Sequence, residues 1–275
     1  MSPVTLGLLA ALTAVAVLAG VAWRARRQVA RLRERLESAA ADLQNLQLAF
    51  SRFAPDEVIE RVIAGGAKRI GEKKEATVLF ADIVGFTAIG ERLEPATLVG
   101  VLNGYFERMS DAITDRRGHI STFIGDGILA FFGALAPNPW QCDDAAHAAL
   151  AMREAMRAYA RELEAEGLPA FSIGIGLHRG SGVAGLVGSR ELMEFAFVGR
   201  TVNVAARVQQ LTRELPGDIL VTEQLARGLD SRFRLRRLPA TRVKGITEPV
   251  PVYAVDGFDD EAADPSESTR SISEE

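Results

Sequence analysis

Three hydrophobic patterns follow one another along the chain. The first is continuous. Between Val4 and Trp23 there is no charge, and apart from Thr5 and Thr13 every side chain is apolar. Twenty helical residues at about 1.5 Å each match the roughly 30 Å hydrocarbon core of a bilayer. A secretory signal peptide would carry a basic segment before a shorter run and a small-residue cleavage site after it. Here no Lys or Arg precedes the run, and Arg24, Arg26 and Arg27 follow it. The pattern predicts a transmembrane anchor over 1–23, with its basic flank held on the cytoplasmic side. This implies a single-pass protein of the inner (cytoplasmic) membrane, with the bulk of the chain in the cytoplasm.

The second pattern is a seam. Apolar residues fall at Val29, Leu32, Leu36, Ala39, Leu43, Leu46, Phe50 and Phe53, in alternating steps of three and four. That is the period of a two-stranded coiled coil, sustained over more than three heptads. An amphipathic helix lying on a domain surface is the alternative, but it has no need of so strict an alternation. A coil directly behind a membrane anchor runs parallel, so residues 24–54 predict a homodimer. Pro55 closes the helix. Residues 55–75 read as a linker with a short helix, Gly65–Gly66 and a solvated basic pair, Lys73–Lys74.

The third pattern, over 76–257, alternates between strand and helix periods. Ala76–Ala81 reads as a strand. Leu93–Arg116 reads as a helix with Leu98, Val101, Leu102, Tyr105, Phe106, Met109 and Ile113 on one face. Strands at His119–Ile124 and Ile128–Phe132 flank Gly125-Asp126-Gly127, a tight hairpin signal. An Ala-rich helix over Asp143–Glu166 and a strand at Phe171–His178 follow. A strand at Glu194–Val198, a helix over Thr201–Arg213 and short strands at Ile219–Thr222, Phe233–Leu238 and Pro251–Val255 complete the series. Strand–helix–strand–strand–helix–strand is a ferredoxin-like α+β pattern, with helices over one face of an antiparallel sheet. Gly174 and Gly176 lie inside a strand, where another backbone packs closely. The Gly180–Gly188 stretch lacks the Lys-Ser/Thr of a phosphate-binding loop and reads as a turn between strands.

Composition narrows the functional classes. With 48% hydrophobic residues in 275, wholesale disorder is excluded. The acidic tail over 258–275 is the exception, since eight acids and one Arg lie between Asp256 and Glu275. A single cysteine, Cys142, excludes a disulfide scaffold and a Cys-based zinc module, and reads as a packed thiol. His119, His147 and His178 are scattered and read as structural. A net charge of -4 argues against nucleic acid as a partner.

Two acidic residues stand out. Asp82 follows a buried-looking strand and, alone, would be a helix cap. Asp126 sits at a hairpin tip and, alone, would be a turn residue. If the two strands are neighbours, both carboxylates reach one sheet edge, and two carboxylates make a hard-oxygen site for Mg²⁺ or Mn²⁺.

Four segments in order, Phe80–Thr87, Phe123–Gly133, Val198–Arg207 and Val243–Tyr253, resemble the class III nucleotide cyclase catalytic domain. The resemblance covers about residues 75–255. It implies a ferredoxin-like fold working as a dimer with interface sites, and conversion of a nucleoside triphosphate to a 3′,5′-cyclic monophosphate and pyrophosphate. Matched position by position, Asp82 and Asp126 are metal-binding aspartates and the backbone carbonyl of Ile83 a further metal ligand, for two Mg²⁺ or Mn²⁺ ions per site. Asn203 orients the ribose, Arg207 stabilises the transition state, and Lys244 grips the terminal phosphates. Thr122 stands where the family carries a base-reading lysine, and Ala196 where it carries that lysine's Asp or Thr partner. The Glu–Cys pair of guanylyl cyclases is also absent. ATP is favoured on family grounds and GTP stays open.

The expected protein is a membrane-anchored homodimeric cyclase acting in signalling, its input coming through a partner membrane protein, the bilayer or constitutive action. The competing reading is a nucleotide-sensing or dimerisation module that has lost turnover. The absence of a Gly-Gly-Asp-Glu-Phe-like segment disfavours a cyclic dinucleotide synthase.

Overall fold

In the computed structural model the structure describes residues 28, 71–189, 193–239 and 251–259. The predicted anchor, the coiled coil apart from Gln28, Lys244 and the acidic tail beyond Asp259 lie outside them, and Phe258, placed in the predicted tail, ends the last strand instead. Contacts divide the chain into Met1–Ile59 and Glu60–Glu275, and the fold below belongs to the second unit. Among the described residues no helix is long and apolar enough to cross a membrane.

The elements are β1 (Glu72–Ile83), α1 (Phe86–Gly90), α2 (Pro95–Thr114), β2 (His119–Ile124), β3 (Gly127–Phe132), α3 (Gln141–Ala165), β4 (Ile173–Gly188) and β5 (Met193–Val198). After them come α4 (Arg200–Gln210), a 3-10 turn (Leu211–Arg213), β6 (Ile219–Thr222), α5 (Glu223–Ala226), β7 (Phe233–Arg237) and β8 (Val252–Phe258). The strands form one sheet in the order β2-β3-β1-β4-β6-β8-β7, with β5 paired to β4.

Central position explains strand composition. All six residues of β3, GlyIleLeuAlaPhePhe, are buried, as a strand covered on both faces requires. In α2, buried Val101, Tyr105, Met109 and Ile113 recur every four residues, and Pro95 starts the helix where its missing N–H costs nothing. In α3, Ala145, Ala146, Ala148 and Ala149 are all buried beside Met152 and Met156, so small side chains let the helix lie close to the sheet. One main core joins Leu79, Ala81 and Ile83 of β1 and Ile128, Ala130 and Phe132 of β3 with α2 and α3.

Several expectations are corrected. The sheet is mixed, because β4 and β6 run parallel. Helices cover both faces. Ile219 and Val221 of β6 belong to the main core, whereas Leu220 between them packs with Val204 and Val208 of α4 in a second cluster. Alternate strand residues face opposite ways, so α4 lies across the sheet from α2 and α3. Finally, Gly180–Gly188 is not a turn. β4 runs on through it, paired with β5 on one side and with Glu72–Ala76 on the other. Gly182 is there for contact, since a Cβ would lie 2.4 Å from the Phe197 ring. The same extension draws Glu72–Glu75 out of the predicted linker and into β1. Lys74 is therefore no solvated linker residue; its Nζ donates to the carbonyls of Ala134 (3.0 Å) and Leu135 (2.8 Å).

The two glycines of β4 behave as predicted. A Cβ on Gly176 would stand 2.1 Å from the backbone nitrogen of Gln209, and one on Gly174 2.1 Å from Thr212 Oγ1. Their bareness lets α4 and its 3-10 turn rest directly on the strand.

Candidate active site

β1 and β3 are antiparallel neighbours, with Ala81 opposite Ile128. Asp82 is therefore the penultimate residue of β1 rather than a residue beyond it, and the β2–β3 turn carries Asp126 to the same end. Gly125 makes that turn with φ +64°, a conformation that side chains disfavour. The two carboxyl groups are close enough to share a hydrogen bond. Burial first, then the bond to Asp126 and its charge, push Asp82 up from 3.8 to about 6. Arg213 opposes this: its Nη2 lies 2.7 Å from Asp82 Oδ2. Arg213 drew no attention in the sequence, where 131 positions separate it from Asp82. Its only signal there is its place as the last residue of the predicted helix carrying Asn203 and Arg207.

The pair suits a small divalent cation. Two carboxylates at the end of buried strands carry negative charge that desolvation penalises, and a hard cation removes that penalty. The buried Tyr105 hydroxyl, without a hydrogen-bond partner among the described residues, feels the same charge: burial first, then Asp82 and Asp126, hold its pKa well above the usual phenol range. The Ile83 side chain is buried in the core at 1% exposure, so only its backbone carbonyl is available to the site. Among the described residues no cluster of three or more His, Cys, Asp or Glu side chains competes as a metal site.

Asn203 and Arg207 lie one turn apart on α4. The helix buries Thr201, Val204, Ala205 and Val208 against the sheet. Asn203 is exposed and Arg207 half-buried, and neither makes a hydrogen bond or ion pair among the described residues. Neither therefore bonds Asp82 or Asp126 of its own chain.

Thr122 is half-buried on β2, opposite Leu129 and next to a bulge. Among the described residues its hydroxyl reaches only the carbonyl of Phe123, at 3.4 Å. Ala196 lies on β5 opposite Gly185. The two strands come together where His119 meets Phe195 edge to face, ring centroids 5.9 Å apart. The predicted structural histidines are packed. His178 Nδ1 bonds Thr222 Oγ1 at 2.8 Å, and burial, then the charge of Arg200, lower it to about 4, so it is neutral at pH 7. His147 packs against the rings of Phe233 and Phe258, which also touch each other. Cys142 is buried, and burial pushes its thiol up, as an inert thiol requires.

Comparison with known proteins identifies the family. Residues 67–257 match the family of the adenylate and guanylate cyclase catalytic domain. An adenylate cyclase of Anabaena cylindrica is 35% identical over 218 residues, covering 75% of this chain and 42% of that protein. Adenylate cyclase 1 of Rhizobium meliloti (strain 1021) is 30% identical over 210 residues, covering 76% of this chain and 32% of the relative. The chain thus spans less than half the length of either. Among solved structures, the adenylyl cyclase CyaB from P. aeruginosa superimposes with a TM-score of 0.66 at 28% identity, over 70% of this chain and 99% of that one. The guanylyl cyclase Cya2 does so with a TM-score of 0.65 at 31% identity, over 70% and 97%. With the matched region covering the whole sheet and both aspartates, the chain belongs to the adenylate and guanylate cyclase catalytic-domain family.

Proposed function

We propose that the chain is a nucleotidyl cyclase that converts a purine nucleoside triphosphate, ATP in preference to GTP, to the 3′,5′-cyclic monophosphate and pyrophosphate. The observation that carries this reading is the Asp82–Asp126 pair, two carboxylates held together at one end of the sheet at a cost that a bound divalent cation would relieve. Asp82, Asp126 and the Ile83 carbonyl would hold Mg²⁺ or Mn²⁺. Two such ions, when bound, lower the pKa of an attacking hydroxyl and neutralise triphosphate charge. Asn203 holds the ribose so that its 3′-hydroxyl faces the α-phosphorus. Arg207 supplies a fixed guanidinium where phosphoryl charge develops, and Lys244 binds the terminal phosphates. Thr122 and Ala196 flank the base and grip it weakly.

That neither Asn203 nor Arg207 bonds the aspartates of its own chain supports a homodimer in which they serve the partner's aspartates. Exposed Val183, Val187 and Val198 on the β4–β5 arm give apolar surface for that pairing. The hydrophobic run over 1–23 supports anchorage on the cytoplasmic face of the inner membrane, and the heptad seam over 24–54 supports a parallel coil that sets dimer geometry. In this reading the product serves intracellular signalling.

The test is incubation of the full chain with Mn²⁺ and either ATP or GTP, with the product identified. Cyclic AMP is expected as the main product. Nucleotide binding without a cyclic product from either would favour the nucleotide-sensing module instead.

A further inference from the structure

Arg213 is the one cation that the described residues bring to the carboxylate pair, and the fold builds it in. Asp82 lies opposite Gly174 in the β1–β4 ladder. Onto that glycine the chain lays the end of α4 and the 3-10 turn. Gln209 Nε2 donates to the Gly174 carbonyl at 3.4 Å, and Thr212 Oγ1 donates to the Gln209 carbonyl at 2.7 Å. Any side chain at position 174 would strike Thr212. The turn is thereby pinned beside Asp82, and the next residue, Arg213, reaches the carboxylate. Exposure of the two partners is unequal: the Asp82 side chain is 25% exposed and that of Arg213 is 54%. The anion is fixed within the site, while the guanidinium can swing into water.

We propose that Arg213 is a built-in counter-ion for Asp82 that the incoming divalent cation must displace, so that this residue sets the metal concentration at which the site fills. The proposal rests on the reading of Asp82 and Asp126 as the metal site. Without metal, the guanidinium offsets the mutual repulsion of two neighbouring carboxylates. With metal, both cations would compete for the same oxygens. A charge-assisted bond to a partly buried carboxylate must then be broken before the ion binds. Because the arginine is half-exposed, the penalty is modest, on the order of a three- to tenfold weakening of metal affinity.

Mn²⁺ titration of the full chain without nucleotide tests this, with free Mn²⁺ followed by its electron paramagnetic resonance signal. Arg213→Gln should bind Mn²⁺ about three- to tenfold more tightly than the wild type. Arg213→Lys, which keeps the charge and loses the fork, should fall between them. In an Asp82→Asn background, Arg213→Gln should have no effect, because the contested oxygen is gone. Equal or weaker Mn²⁺ binding by Arg213→Gln, with melting showing an intact fold, overturns the proposal; weaker binding would make Arg213 a residue that positions Asp82 for the metal. Should Arg213→Gln fail to fold, Arg213→Lys decides alone, and affinity no higher than wild type overturns the proposal. Wild-type Mn²⁺ affinity in Asp82→Asn would instead sink the metal-site reading itself.

Discussion

Replacing Asp82 with Asn should stabilise the metal-free protein at neutral pH and leave its stability nearly unchanged at pH 4. The Asp82 carboxyl moves from 3.8 to about 6 in the fold. A folded pKa above the unfolded one means that the native state binds the proton more tightly. Its stabilising contribution is complete below pH 3.8 and is lost as pH rises through about 6. Above that, the ionised group strains the fold. At about 1.4 kcal/mol per tenfold change in affinity, the full shift corresponds to at most ~3 kcal/mol. Partial exposure of both Asp82 and Arg213 allows solvent to screen the pair, which reduces the figure to about 1–2 kcal/mol. For a domain of this size that is roughly 2–8 °C in melting temperature. The assay is thermal unfolding of wild type and Asp82→Asn in chelator, at pH 7.5 and pH 4. A variant less stable than wild type at pH 7.5, or a gain of equal size at both pH values, refutes the reasoning. Either result would mean that the bond from Arg213 outweighs burial and the neighbouring Asp126.

Asp82→Ala and Arg207→Ala should each be nearly inactive alone and should regain activity when mixed as heterodimers, because one of the two shared sites is then intact; proven heterodimers without activity would exclude a shared site. Gly176→Ala should cost about 3 kcal/mol or more, since the new Cβ meets the Gln209 backbone rather than a side chain that can move aside; chemical denaturation measures it, and a cost below 1 kcal/mol would show that α4 can shift. The wild-type ratio of kcat/KM for ATP over GTP should stay within about 10–200-fold, the range that pocket shape alone supplies. Thr122→Lys with Ala196→Asp should raise that ratio, whereas a ten-thousandfold wild-type preference would show that other groups read the purine. Leu36→Lys with Leu43→Lys should lower specific activity most at low protein concentration; no change at any concentration would reduce the coil to a spacer.

Strong local periodicity made most elements readable. α2, α3, β2, β3 and the Gly125–Gly127 hairpin lie within a few residues of their predicted bounds, because their apolar spacing matches one element type. The juxtaposition of Asp82 with Asp126 was readable too, since it needed only that β1 and β3 be neighbours. What escaped was set by partners distant in sequence. Gly180–Gly188 has the glycine content of a turn, yet Phe197 on β5 needs the room over Gly182. Lys74 looks solvated until β1 is extended by β4. The cover on the second sheet face shows only as the alternation of Ile219, Leu220 and Val221 between two cores, and three consecutive aliphatic residues carry no face label. Arg213 was invisible because its partner is fixed by Gly174, a residue whose importance lies in lacking a side chain.

The order of strands also bears on synthesis. β1 carries Asp82, but one of its flanking strands is β4, and Asp82 meets Gly174 there only after 92 further residues have been made. At roughly 5–20 residues per second, a ribosome needs about 5–18 seconds for that stretch. Once β3 has been made, and until β4 follows, the strand Val78–Ile83 has a partner on one side and an unpaired edge on the other. Such an edge pairs readily with another chain. Polysomes that place nascent copies of this chain side by side would expose these edges to one another, and slower translation before residue 173 would lengthen the exposure.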